Sequence, residues 1–143
     1  MTADSSANSG NGVKSAEPLQ GVTLAASMTV NDLQKSLVWY QDVLGFVVDQ
    51  NYDRDGVLRA ASLKAGDVRV VIGQDDGAKG WDRVKGAAMA LQITTSQNID
   101  DIASRAKAAG GVLVADPTDT PWGTRMFRIQ DPDGFTFVIS SPR

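Results

Sequence analysis

One succession of elements is written twice along this chain, and that repetition constrains the fold more than any other feature. In the first copy Val22 to Val30 alternates as a strand, with Leu24, Ala26, Met28 and Val30 on the side meant for the core and Thr23, Ala25, Ser27 and Thr29 on the other. Asn31-Asp32 offers a helix cap, Leu33, Leu37, Tyr40 and Leu44 follow at helical spacing, and Gly45 stops the helix. Residues 46–52, 57–64 and 68–73 then read as three strands, separated by turns at Asp53-Arg54-Asp55-Gly56 and Ala65-Gly66-Asp67. After a polar connector the order restarts. Residues 87–94 alternate, with Met89, Leu91 and Ile93 inward. Ile99, Ile102, Ala103 and Ala106 form a helical stripe that ends at Gly110-Gly111, with Asn98 standing as a cap as far ahead of Gly111 as Asp32 is of Gly45, and 112–115, 125–130 and 135–140 are strands. Each copy is β-α-β-β-β. One helix over a small sheet cannot close a core alone, so the copies are expected to pair. The expected architecture is α+β: two paired βαβββ modules forming a half-barrel cleft, with the helices on the outer face.

The modules cover about 20–74 and 86–141, joined by a connector at 75–85, and together they make a single domain over 19–143. Residues 1–18 are rich in Ser, Asn, Gly and Ala and lack apolar side chains enough to offset the entropy of ordering, so a disordered tail is expected there. They contain no apolar core of a signal peptide, and no stretch approaches the roughly 20 apolar residues of a membrane span, which points to a cytoplasmic protein. A net charge of −3 offers no basic face for nucleic acid.

The last hairpin fixes which side chains share a face. Pro132 and Asp133 suit the centre of a type I turn followed by Gly134 in the left-handed conformation. Ile129 then faces Phe137 and Phe127 faces Ile139, an apolar side suited to packing on a helix. Met126, Arg128, Gln130, Thr136, Val138 and Ser140 fall on the other side. A two-residue turn would mix Phe and Arg on both sides. The same alternation sends Val68, Val70 and Ile72 toward a helix and Arg69, Val71 and Gly73 toward the cleft, and it leaves Ala88, Ala90, Gln92 and Thr94 on the cleft side. The expected cleft is small, mildly polar, and carries two cations, Arg69 and Arg128.

Composition now removes most chemistry from that cleft. The chain has no histidine and no cysteine, and Glu17 is its sole glutamate. A Ser-His-Asp or Cys-His pair, a thiol redox site, a disulfide and every His- or Cys-ligated metal are excluded. Gly110-Gly111 is a helix stop, not a phosphate loop. Asp75, Asp76 and Asp82 crowd the connector without the spacing of an ion-binding loop and read as solvated charges. Trp81 reads equally as a lid, a dimer contact or a surface residue, and Trp39 and Tyr40 as packing.

The stretch Val30-Asn31-Asp32-Leu33-Gln34-Lys35-Ser36-Leu37-Val38-Trp39-Tyr40, with Val43-Leu44-Gly45-Phe46 after it, resembles the opening of vicinal-oxygen-chelate proteins, the relatives of glyoxalase, bleomycin-resistance proteins and extradiol dioxygenases. Pro121-Trp122-Gly123-Thr124-Arg125 leading to Asp131-Pro132-Asp133-Gly134-Phe135 resembles their ending. The family's metalloenzymes hold a divalent ion with His or Gln on the first strand of each half and typically Glu on the last. Carried over, those positions fall on Ala25, Val71, Ala88 and Val138, none of which coordinates a metal. The resemblance therefore implies a member without the metal site: no cofactor, and neither a metal-dependent glyoxalase nor a dioxygenase.

Metal-free relatives include proteins that sequester drugs, and such proteins are usually dimers. The resemblance thus implies a homodimer that binds a small molecule, an antibiotic or aromatic metabolite or an anion. Arg69, Gln92, Trp122, Met126, Arg128, Thr136 and Val138 are its expected contacts. Arg128 and Arg69 would pair with a carboxylate or phosphate, unless each instead meets one of the chain's own aspartates. Trp122 would stack on a planar ligand or anchor its own loop. Two alternatives stay open: a metal-independent isomerase or lyase, and a structural module with no ligand. Catalysis would require an Asp, Tyr or Lys of shifted pKa in the cleft, and the phasing places none at its middle.

Overall fold

A computed structural model describes residues 17–143. The expected disordered tail, 1–18, lies outside the described residues except for Glu17 and Pro18. The elements run β1 (Ala26–Val30), α1 (Leu33–Asp42), β2 (Val47–Arg54), β3 (Val57–Ala65), β4 (Val68–Gln74), β5 (Ala90–Thr94), α2 (Ile99–Ala108), β6 (Leu113–Asp119), β7 (Thr124–Gln130) and β8 (Thr136–Pro142). Both modules are βαβββ, and the caps sit where the sequence places them. Asp32 accepts the Lys35 amide and Asn98 accepts the Asp101 amide, each filling a helix N-terminus. At the end of α2, Gly110 turns left-handed and the Gly111 N–H returns to the Ala106 carbonyl at 2.8 Å.

The strands make two separate four-stranded sheets, ordered β1-β4-β3-β2 and β5-β8-β7-β6. In each sheet the first pair is parallel and the rest antiparallel. Neither sheet closes or curls into a barrel, and this corrects the expected half-barrel. A barrel wall would need a continuous ladder from one module to the next, but β1 and β5 each end their own sheet. Nor is there an inner and an outer face for helices to choose between. Each sheet has a face covered by its helix and a face free of one.

The modules are joined by side chains. One apolar cluster contains Leu33, Leu37, Tyr40, Ala61, Leu63, Val70 and Ile72 from the first module and Ile99, Phe127, Ile129, Phe137 and Ile139 from the second. Tyr40 is fully buried and meets Phe46 and Phe137 edge-on, with ring centroids 5.8 Å apart in both cases. Its hydroxyl donates to Asp131 Oδ2 at 2.8 Å, across 91 residues of chain. The Asn31 amide donates to Asp133 Oδ1 at 2.9 Å, so the β7–β8 turn is fastened to both ends of α1. At the other end of the joint, Gly111 lies so close that an added Cβ would stand 2.6 Å from Val43 Cγ1.

Two strands begin later than their alternation predicts. Leu24 is expected inward but is 95% exposed, because the pairing of β1 with β4 begins at Ala26 opposite Val70 and no described residue covers the stretch before it. Met89 is likewise expected inward and is exposed. Ala88 has φ +59°, a left-handed conformation that interrupts a strand, so β5 starts only at Ala90. In contrast, the β7–β8 phasing holds. Ile129 pairs with Phe137, Phe127 with Ile139, and Gly134 has φ +99°.

Candidate functional site

The helix-free face of the second sheet carries a regular array built by strand register. One row is Ala90, Thr136 and Gln130; the next is Gln92, Val138 and Arg128; the third is Thr94, Ser140 and Met126. Alternation puts these on one side because Leu91, Ile93, Phe127, Ile129, Phe137 and Ile139 take the other, against the core. Five of the seven expected contacts, Gln92, Met126, Arg128, Thr136 and Val138, are thereby brought onto one surface.

Arg128 stands in the middle of this array. It is half-buried, and among the described residues it makes no ion pair and no side-chain hydrogen bond. Arg125, three positions earlier on the same strand, points to the opposite side and is fully engaged. It grips both oxygens of Asp100 at 2.8 and 2.9 Å and Asp119 at 2.9 Å. The guanidinium hydrogen bonds hold the Asp100 carboxyl below its ordinary range and raise Arg125 itself. Val138, beside Arg128, is nearly covered although it lies on the helix-free side; Gln92 and Arg128 flank it. Thr136 accepts a bond from Gln130 Nε2 at 3.1 Å. The surface is thus an apolar floor with one unneutralised cation and several neutral hydrogen-bonding groups.

The other two expected contacts lie apart from it. Arg69 is on the first sheet, where Asp49 approaches to 3.6 Å. Trp122 is 72% exposed in the turn between β6 and β7 and stacks on no described aromatic ring. A concavity of about 720 Å³ is walled by the end of α1, the β3–β4 turn, the loop from β5 into α2 and the later part of α2, with Asp42, Asp67 and Arg105 on its sides. None of the seven residues lines it. A smaller one, about 280 Å³, sits between the starts of β1 and β5 and touches only Thr136 of the seven.

The family's metal positions can be tested against the register. Val71 faces Ser27, and Val138 faces Gln92, while Ala25 and Ala88 lie just before β1 and β5 and are not on a strand. None of the four side chains carries a donor atom for a metal. Among the described residues no group of three or more His, Cys, Asp or Glu side chains is placed to hold an ion. The donor set does not fit a divalent metal.

Sequence reading also missed two polar clusters. Asp75, expected to be a solvated loop charge, is buried. Lys85 Nζ reaches it at 2.8 Å and Arg83 at 3.2 Å, and the hydrogen bond from Lys85 is the main reason its carboxyl titrates well below the usual range. Lys85 also donates to Asn31 Oδ1 at 2.6 Å, and Asn31 Nδ2 donates to the Trp81 carbonyl, so the connector is pinned to the first module. The second cluster is Tyr40 with Asp131. Burial raises the tyrosine far above its ordinary pKa, with Asp131 adding to it, and burial also raises Asp131 against the hydrogen bonds that favour its charge. Both clusters join residues too distant in sequence to show any local signal.

Comparison with known proteins accounts for this layout. No curated protein matches the chain. Among solved structures, TioX from Micromonospora shares 19% identity at a TM-score of 0.67, covering 85% of this chain and 97% of that one. TnmS3, an antibiotic binding protein from Streptomyces, shares 21% at 0.68, covering 89% and 100%. A virulence protein from Salmonella typhimurium shares 24% at 0.65, covering 88% and 100%. At such identities these structures speak for the fold alone. Residues 22–139, nearly the whole described chain, match one family, and the protein belongs to the Glyoxalase/Bleomycin resistance protein/Dioxygenase superfamily.

Proposed function

We propose that this protein is a metal-independent small-molecule binder of the glyoxalase/bleomycin-resistance type, which holds an aromatic or anionic ligand against the helix-free face of its second sheet. The observation that carries the reading is Arg128, a half-buried guanidinium with no acid to pair with among the described residues, set beside the apolar Val138. A guanidinium stays charged and forms two parallel hydrogen bonds with a carboxylate or phosphate. The neutral groups around it, Gln92, Thr136 and Met126, would orient the rest of the ligand, with Trp122 as an exposed stacking surface at the end of the strand. TnmS3, an antibiotic binding protein of the same fold, lends support by analogy, and sequestration of an antibiotic or aromatic metabolite is the role we assign. No Asp or Lys stands in the array, so nothing in it is placed to abstract a proton.

The same reading makes the protein a cytoplasmic homodimer. The edge strands β2 and β6 and their flanks expose Val47, Val57, Val112 and Val114, apolar surface that a second copy would cover. No helix of the described residues is long and apolar enough to cross a membrane. The test is thermal-shift screening of the purified chain against aromatic antibiotics and small organic acids. A binder present at 100 times its Kd stabilises by roughly 2.7 kcal/mol. Arg128→Ala should abolish that stabilisation without lowering the melting temperature of the free protein. A hit that Arg128→Ala binds equally well would remove this surface as the site.

A further inference from the structure

The first sheet carries a second arrangement, and register again builds it. On the face away from α1, Lys64 of β3 stands directly opposite Arg69 of β4, and Ser62 stands opposite Val71 and Gln50. Leu63 and Val70, between them, take the core side, which fixes the direction of Ser62, Lys64, Arg69 and Val71. Two like charges directly across an antiparallel pair repel, and sheets ordinarily avoid the arrangement. Here little offsets it. Lys64 has no ion pair among the described residues, and Arg69 has only Asp49 at 3.6 Å, with both partners substantially exposed. Asp67, in the turn beyond, makes no ion pair among the described residues. The balance of Lys64, Arg69 and Asp49 is one unit positive on a chain whose net charge is −3.

Ser62 supplies an independent observation. It is 1% exposed, and its Oγ is the single buried side-chain nitrogen or oxygen among the described residues with no hydrogen-bond partner. A buried hydroxyl without a partner is costly, and native proteins rarely keep one without use. This one lies on the same face as the two cations, two positions from Lys64 along β3 and diagonal to Arg69 on β4. A hydroxyl donor lacking an acceptor stands next to one cation with no ion pair among the described residues and another whose only one is long and exposed, and their needs are complementary. One oxyanion meets all three.

We propose that Ser62, Lys64 and Arg69 form an oxyanion site on the first sheet, which takes a carboxylate or a phosphate group and is separate from the surface around Arg128. Lys64 and Arg69 attract the anion and relieve their mutual repulsion around it. Ser62 donates the short-range hydrogen bond once the flexible Lys64 and Gln50 side chains that border it give way. The site stands whether or not Arg128 contacts a ligand, because no residue is shared.

The test uses the full chain and amide NMR titrations with inorganic phosphate and, separately, with acetate, at an ionic strength held constant with sodium chloride. Saturable shifts at Ser62, Lys64 and Arg69 are expected. Tighter phosphate would mark a phosphate ester as the natural group and tighter acetate a carboxylic acid. Lys64→Gln combined with Arg69→Gln should weaken the binding at least tenfold, with the remaining amide spectrum intact. Ser62→Ala should raise the melting temperature of the free protein, since the orphaned hydroxyl is gone, and yet weaken phosphate several-fold. Arg128→Ala should leave the phosphate shifts in place, which separates this site from the ligand surface on the second sheet. Shifts that grow linearly without saturation, or that chloride reproduces, overturn the proposal. So does an unchanged affinity in the Lys64/Arg69 double variant.

Discussion

Removing one oxygen atom tests how the two modules are joined. In Tyr40→Phe the ring keeps its edge-on contacts with Phe46 and Phe137, and no cavity larger than a hydroxyl opens. What changes is Asp131. Its Oδ1 still accepts the Asp133 and Phe135 amides at 2.9 and 2.8 Å, but Oδ2 loses the Tyr40 hydroxyl and has no other described partner. A hydrogen bond to a buried charge is worth about 1.5–3 kcal/mol, and for a domain of this size each kcal/mol moves the melting temperature by roughly 4 °C. The variant should therefore melt about 6–12 °C lower at neutral pH. The pH dependence carries a sign. Burial raises the folded pKa of Asp131, so ionising it costs stability as pH rises from the ordinary value near 4 through the folded one. The tyrosine bond favours the ionised form and opposes that rise. Without it the folded pKa climbs further, so the penalty of the mutation is largest at neutral pH and shrinks in acid, where Asp131 is protonated with or without Tyr40. Urea denaturation across pH 4 to 8 reads both quantities. A loss below about 0.5 kcal/mol, or one that is constant across that range, would refute the account of the joint.

Two further outcomes probe the same framework. Gly111→Ala pushes a Cβ to 2.6 Å from Val43 Cγ1 and 2.9 Å from the Ala106 carbonyl, and should cost about 1–3 kcal/mol in urea denaturation; a neutral result would mean that the two helix ends separate without strain. Lys85→Gln leaves the buried Asp75 with Arg83 as its one cation, beside the Gly77 amide, and frees Asn31 Oδ1, so limited digestion with a broad-specificity protease should cut residues 75–89 faster while the modules resist; unchanged cleavage would mean that the buried pair does not hold the connector.

What the sequence disclosed follows the range of the interaction. The caps at Asp32 and Asn98 and the turn at Asp131–Gly134 depend on neighbours within a few residues, and they stand where the sequence places them. So does the strand parity that gathers Gln92, Met126, Arg128, Thr136 and Val138. Leu24 and Met89 alternate correctly as letters, but a strand also needs a partner to pair with, and the register of β1 on β4 stops short of Leu24. The half-barrel failed for a similar reason. Local period sets which residues share a face of one sheet; it does not set whether β1 and β5 share a ladder. Asp75 reads as a loop charge because its burial depends on Lys85, which is fixed in turn by Asn31 from the other end of the module.

Arg125 and Arg128 show how that division of information reaches function. They occupy one strand three positions apart, and the chain has more acidic than basic residues, so composition alone predicts that both find partners. Parity decides otherwise. Arg125 faces the helix side, where Asp100 begins α2 and Asp119 ends β6, and it takes both. Arg128 faces the other way, where β5, β7 and β8 present alanine, threonine, serine, glutamine, methionine and valine but no acid. The local alternation that buries Phe127 and Ile129 therefore also leaves Arg128 without an acid to pair with among the described residues. A single carboxylate introduced in the same row, as in Gln92→Glu on the far side of Val138, would reach across to the long guanidinium side chain and satisfy it internally. It should reduce binding of an anionic ligand as severely as Arg128→Ala, while leaving or raising the stability of the free protein; ligand binding that survives that substitution would show that the charge of Arg128 is not what the ligand meets.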